Sequence, residues 1–274
     1  MLQYRRLFGY LTAIVAAVVL MVAGSRDAWA ASDTTCTSGP IASGVYANVH
    51  VTGACTIANG SVTVLQNLTV DPSASLVAAT GGPLGIGASS LTVGGNIDVQ
   101  KNGVLVLGCE PVSYICLNDP DQTVGSYSTV DAVAGNLTAE NALAVVVHRT
   151  SVGGSVSLIG GGGGISSCGE SLPVLAGSPP YGDFEDNVIG GSLTMRGWNS
   201  CWLGWLRNIV IHNVEFNDNQ TGDPDGNEMG TNTVSGNLNC NGNNPVPQFG
   251  DSGAVATTVL GSINGQCAPP LVGR

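Results

Sequence analysis

The sequence predicts an all-β fold, a right-handed parallel β-helix (solenoid) of about nine coils with disulfide-pinned loop insertions. Three observations carry this prediction. Turn formers are abundant and helix formers scarce: 40 Gly and 13 Pro in 274 residues, against one Lys (Lys101) and six Glu. Hydrophobic residues make up 43% and charged residues 10%, so there is apolar surface to bury and disorder is excluded. A seven-residue pattern recurs nine times, each copy with Asn or Ser at its fourth position. The glycines follow no three-residue period, which excludes collagen.

Residues 1–30 read as a secretory signal peptide. Arg5 and Arg6 form a basic start, 7–24 is uncharged and mostly apolar, and Ala28-Trp29-Ala30 is a small-x-small cleavage site. Residues 31–44 are expected to cap the N-terminal end, 45–267 to form a single solenoid domain and 268–274 a C-terminal tail. Without the leader the chain keeps five Lys/Arg and eighteen Asp/Glu, a net charge of −13. No basic patch survives, which argues against nucleic acid and anionic membrane as partners. No later segment is apolar enough to span a bilayer.

The repeat reads apolar, two small or polar residues, Asn or Ser, apolar, polar, apolar. Its copies start at Val45, Val64, Val93, Val133, Val152, Ile189, Val210, Val234 and Val259, with spacings of 19, 29, 40, 19, 37, 21, 24 and 25. A minimum near 19 with variable excess means one coil per copy, with loops inserted at corners. Alternation sends the apolar positions inward. The fourth-position column, Asn48, Asn67, Asn96, Asn136, Ser155, Ser192, Asn213, Asn237 and Ser262, is expected to point inward and satisfy corner backbone groups. Glycine before the Asn is expected to supply a positive φ. A β-sandwich would instead place Gly after Asn in two-residue hairpin turns. Second apolar runs, as at Ala74–Val77 and Val104–Leu107, add a further strand to each coil.

Eight cysteines behind a leader indicate disulfides in an oxidising compartment, and hence a secreted, extracellular or cell-surface protein. Coil order favours neighbours: Cys36–Cys55, Cys109–Cys116, Cys168–Cys201 and Cys240–Cys267. The recurrent Val-Gly-Gly-Asn-apolar coil resembles that of bactofilin-type polymer-forming β-helices, which implies self-association. The tail, Asp223-Pro-Asp-Gly-Asn-Glu228 through Cys240 to Gly265-Gln-Cys267, resembles uncharacterised secreted bacterial β-solenoid proteins; that resemblance implies no activity.

Candidate chemistry is sparse. The sixth positions form an outward stripe, His50, Thr69, Asp98, Thr138, Ser157, Thr194, Glu215, Asn239 and Asn264. Its two acids stand four coils apart, roughly 19 Å at ~4.8 Å per coil, too far for a glycosidase carboxylate pair. Two insertions, 107–129 and 160–187, carry further acids, including Asp183, Glu185 and Asp186. If both leave one corner they wall a cleft, where a polysaccharide lyase or glycoside hydrolase would work. Asn217, Asn219, Thr221, Asp225 and Glu228 match a calcium-loop spacing with Gly222 at its sixth place. No other cofactor is implied. Trp198, Trp202 and Trp205 are either a sugar-stacking platform or a lid on the coil. Gly250-Asp-Ser-Gly resembles a serine-protease nucleophile segment, but no His or Asp context accompanies it. His50, His148 and His212 are too scattered to read as a metal cluster. The reading that follows is a non-catalytic structural or interaction solenoid, with cell-wall or extracellular carbohydrate as a candidate partner. The alternatives are a carbohydrate-active enzyme in the insertion cleft and a carbohydrate-binding module.

Overall fold

Short strands, most of them of two to five residues and alternating inward apolar and outward polar positions, wind the chain into a parallel β-helix. The computed structural model describes residues 31–78, 89–108, 131–249 and 255–268. The leader, the Cys109–Cys116 pair, most of the first insertion, the 250–254 segment and the end of the tail lie outside them.

Each full coil has three faces. The first is a nine-stranded parallel sheet running from Gly44–Tyr46 to Thr258–Val259. The second stacks strands such as Leu68–Val70, Ile97–Val99, Leu137–Glu140 and Val156–Ile159. The third stacks Ser75–Ala78, Val104–Leu107, Ala144–His148, Tyr181–Glu185, Trp202–Leu206 and Asn227–Gly230. The second and third faces belong to one sixteen-stranded sheet, because Val49–Thr56 pairs with the first strand of both. The strand Thr34–Pro40 lies against Val49–Thr56 and closes the N-terminal end. At the other end, in the last coil, Ile263 is 38% exposed among the described residues, in a column whose other members are buried.

The repeat maps onto this geometry with one slip. The fifth and seventh positions, from Val49 and Val51 to Leu238 and Cys240, are buried. In the first copy, however, Tyr46 rather than Val45 pairs with Val64, and Val45 is exposed. That copy is one residue shorter between its inward position and Asn48. The sixth-position stripe is in register from His50 to Asn264.

Two expectations about the fourth position are corrected. Asn67, Asn96, Asn136, Asn213 and Asn237 are exposed, not inward. Each accepts, at Oδ1, the backbone N–H of the equivalent residue one coil on where that bond forms, as from Asn96, Asn136 and Ser155 at 2.8–2.9 Å. These side chains bridge coils from outside, so burial does not bar the Asn67 and Asn136 sequons from glycosylation. The preceding glycines do not take positive φ. They are needed because coils approach closely there: a Cβ on Gly154 would lie 2.3 Å from Asn136 Oδ1 and 2.7 Å from the Gly135 carbonyl. Gly154→Ala is expected to lower stability by about 1–3 kcal/mol. Gly169→Ala, with nothing within 4 Å of its Cβ, should stay within about 0.5 kcal/mol. Equal melting temperatures for the two variants would refute the close-approach account.

Left-handed backbone is used at the other two corners. Asn141, Gly160, Gly197, Asp218 and Gly242 take it between the second and third faces, and Arg149, Asp186, Arg207 and Thr231 between the third and first. Immediately after the latter set lies an inward polar column, Thr150, Asn187, Asn208 and Asn232, all buried. Here the amides do what was expected of the fourth position. Asn187 N–H donates to Asn208 Oδ1 at 3.0 Å and Asn208 N–H to Asn232 Oδ1 at 2.8 Å. Asn208 Nδ2 donates to the carbonyls of Phe184 and Leu206. A second inward set, Asn219, Asn243 and Gln266, repeats the device near the C-terminal end. Asp131 heads the first column, being in register with Thr150. Its carboxylate accepts the N–H of Leu91 at 2.7 Å and of Gly108 at 2.8 Å, so it ties the two ends of the first insertion together.

Three disulfides, Cys36–Cys55, Cys168–Cys201 and Cys240–Cys267, join the neighbours anticipated from coil order, with Cα separations of 6.3, 4.7 and 5.5 Å.

Candidate functional site

The third face differs from the others in being covered on both sides. Its inward residues Val145, Val147, Phe184, Trp205 and Met229 join the main core. Its outward residues Val77, Val104, Val106, Ala144, Val146 and Tyr181 pack beneath Leu175. This double burial explains the continuous apolar runs of these strands. The cover is the second insertion, which contains two 3₁₀ turns, Ile165–Gly169 and Pro173–Leu175, and is held by Cys168–Cys201. The insertion proper ends before Tyr181. Asp183 and Glu185 are therefore strand residues and Asp186 a corner residue, not loop acids. The insertions also leave different corners: the first follows Val104–Leu107 at the end of the third face, the second follows Val156–Ile159 before it.

Beyond the apolar cover, the outward side of this face turns polar. Register places His148 beside Glu185, and Asp183 beside Val146 and Gly204. His148 Nε2 and Asp183 Oδ2 are 2.7 Å apart and both side chains are almost wholly buried. Arg207 Nε and Nη2 donate to the two oxygens of Asp186 at 2.9 and 3.0 Å, and Nη2 also donates to Glu185 Oε2. Burial works against the guanidinium charge, but the Asp186 hydrogen bond and the charges of Glu185 and Asp186 outweigh it and hold Arg207 above its ordinary range. One nitrogen of His148 and one oxygen each of Asp183 and Glu185 lie within 4.8 Å of one another. Gly204 supports this arrangement, since a Cβ there would meet Asp183 Oδ1 at 2.7 Å and the Trp202 ring at 2.3 Å.

The anticipated sites fare differently. Trp198 and Trp205 are 0% exposed and belong to the core, so they form no sugar platform. Trp202 alone faces outward, packing on Tyr181 with ring centroids 5.9 Å apart. The calcium spacing does not assemble a loop. Asn219 points inward, its Oδ1 taken by Trp198 N–H and its Nδ2 by the Met195 carbonyl. Asn217 Oδ1 accepts Asn241 N–H, Thr221 is buried beside Asp223, and Glu228 lies on the third face two strands from Asp183. Asp98 and Glu215 remain four strands apart on the stripe.

The cluster around His148 escaped the sequence reading. Its signal is positional: His148 and Glu185 each stand four residues before a repeat start, Val152 and Ile189. The inward amides Asn187, Asn208 and Asn232 likewise stand two residues before Ile189, Val210 and Val234. Comparison with protein-family models, curated proteins and solved structures returned no match. The geometry alone carries the functional reading.

Proposed function

We propose that this chain is a secreted or cell-surface structural solenoid, a stiff scaffold that presents its faces and insertions to other molecules without catalysing a reaction. The observation that carries this reading is the state of its converging acids. Asp183 and Glu185 are buried on the outward side of the third face and Asp186 at its corner, and His148 and Arg207 bond to them. The acids of the regular outward stripe, by contrast, stand singly. The three disulfides fit an oxidising compartment, and the uninterrupted apolar core fits a load-bearing role.

The test is a panel of acidic and neutral glycans incubated with the purified chain, with and without calcium. No new reducing ends and no unsaturated products are expected. Turnover that disappears in Asp183→Asn would replace this reading with a carbohydrate-active enzyme. Glycan binding without turnover would identify the scaffold's partner class as carbohydrate.

A further inference from the structure

We infer that His148, Asp183 and Glu185 form a binding site for one divalent transition-metal ion of the zinc class. The inference starts from the donor set. An imidazole nitrogen and two carboxylate oxygens converge within 4.8 Å, and this mixture suits zinc and its first-row neighbours. Calcium, which takes oxygen ligands, has no use for the imidazole.

The second observation is how the strands hold these groups. His148 and Glu185 are directly paired across Ala144–His148 and Tyr181–Glu185, and Asp183 is two residues back on the same outward side. Backbone pairing thus sets three donors at one place with no loop involved, the rigid support that metal sites require. Gly204, in the middle of the next strand, leaves the room in which the Asp183 carboxylate lies. An interior strand glycine commonly marks such a close approach. The Trp202 ring, beside the same glycine, forms an apolar wall.

Metal binding exchanges two existing contacts for bonds to the ion. The ion takes the place of the proton between His148 Nε2 and Asp183 Oδ2, which passes to solvent. Glu185 gives up its bond to Arg207, which retains both of its bonds to Asp186. With ligands at the ~2.0–2.2 Å that zinc takes, His148 Nε2 and Asp183 Oδ2 would move apart from 2.7 Å to admit the ion between them, while the Glu185 carboxylate closes on it. The bound ion would clamp two successive coils together on the outward side of the third face.

The experiment uses the full chain, stripped with chelator, dialysed against zinc and analysed for bound metal. Cobalt replaces zinc in a parallel sample for visible spectroscopy. One equivalent of zinc is expected to be retained, with a rise in melting temperature and cobalt d–d bands. His148→Ala should weaken binding at least tenfold, and His50→Ala and His212→Ala, at exposed histidines, should not. Glu185→Gln keeps the side-chain shape and serves if His148→Ala misfolds; it too should weaken binding. Sub-stoichiometric zinc in the wild type would overturn the inference, as would retention unchanged in His148→Ala or, in its place, Glu185→Gln.

Discussion

Replacing Asn208 by Leu is expected to lower stability by about 2–5 kcal/mol, a large part of what holds a domain of this kind together. Asn208 is 1% exposed and serves both neighbouring coils. Its Oδ1 accepts Asn187 N–H, its Nδ2 donates to the Phe184 and Leu206 carbonyls, and its own N–H meets Asn232 Oδ1. Leucine removes an acceptor from a buried N–H and a donor from carbonyls that water does not reach, so the desolvation cost of those groups is left uncompensated. The comparison variant is Asn96→Leu. Asn96 also accepts a backbone N–H from the next coil, at 2.8 Å, but at an exposed corner where water can replace the lost acceptor. Its loss should stay below about 1 kcal/mol. Denaturant unfolding of both variants decides the matter, and a loss for Asn96→Leu as large as that for Asn208→Leu would refute the assignment of the inward column.

Asp131 is expected to make stability fall as pH rises from about 4 to about 7. Burial lifts its pKa from 3.8 to about 7, against the pull of the Leu91 and Gly108 N–H groups in the opposite direction. Below the unfolded value the group is protonated in both states and costs nothing extra. As pH climbs toward the folded value the unfolded chain loses its proton first, so the native state is progressively disfavoured. The difference between the two values corresponds to roughly 4 kcal/mol at most. Asp131→Asn removes the ionisation and should flatten this part of the pH profile. The amide presents only one acceptor to the two N–H groups, so at pH 4 the variant should be the less stable of the two proteins. The gap should then narrow toward pH 8. Parallel stability curves for wild type and variant across pH 4–8 would show that Asp131 does not titrate in this window.

Much of the architecture was legible from periodicity. Leu68-Thr69-Val70 and Ile97-Asp98-Val99 alternate because one side faces a core and the other water, and side-chain period is a local property of a strand. The nine repeats therefore announced the coil count and the in-register outward stripe. Coil order also anticipated Cys36–Cys55, Cys168–Cys201 and Cys240–Cys267, since the coil spacing matches the separation a disulfide spans.

Whether a polar residue faces in or out at a corner was not legible, and both corner expectations turned on it. Asn96 and Asn208 are the same residue type, each followed by Ile. The first lies outside and the second inside, because the turn between the third and first faces closes with a left-handed residue and directs the next side chain to the core. The tryptophans show the same limit. Trp202 and Trp205 are three apart on one strand and so point to opposite sides, and the cover by 160–180 keeps even the outward one partly buried.

The sequence by itself determined the all-β class, the solenoid, the coil repeat and the neighbours joined in Cys36–Cys55, Cys168–Cys201 and Cys240–Cys267, all of which follow from local alternation and a regular rise. The tertiary structure alone decided that Asp183 and Glu185 are strand residues, that His148 lies 2.7 Å from Asp183 across 35 positions of chain, and that all three are buried. Convergence of that kind depends on which strands stack: His148 and Glu185 each stand four residues before a repeat start, but only the stacking of Ala144–His148 on Tyr181–Glu185 brings them together with Asp183.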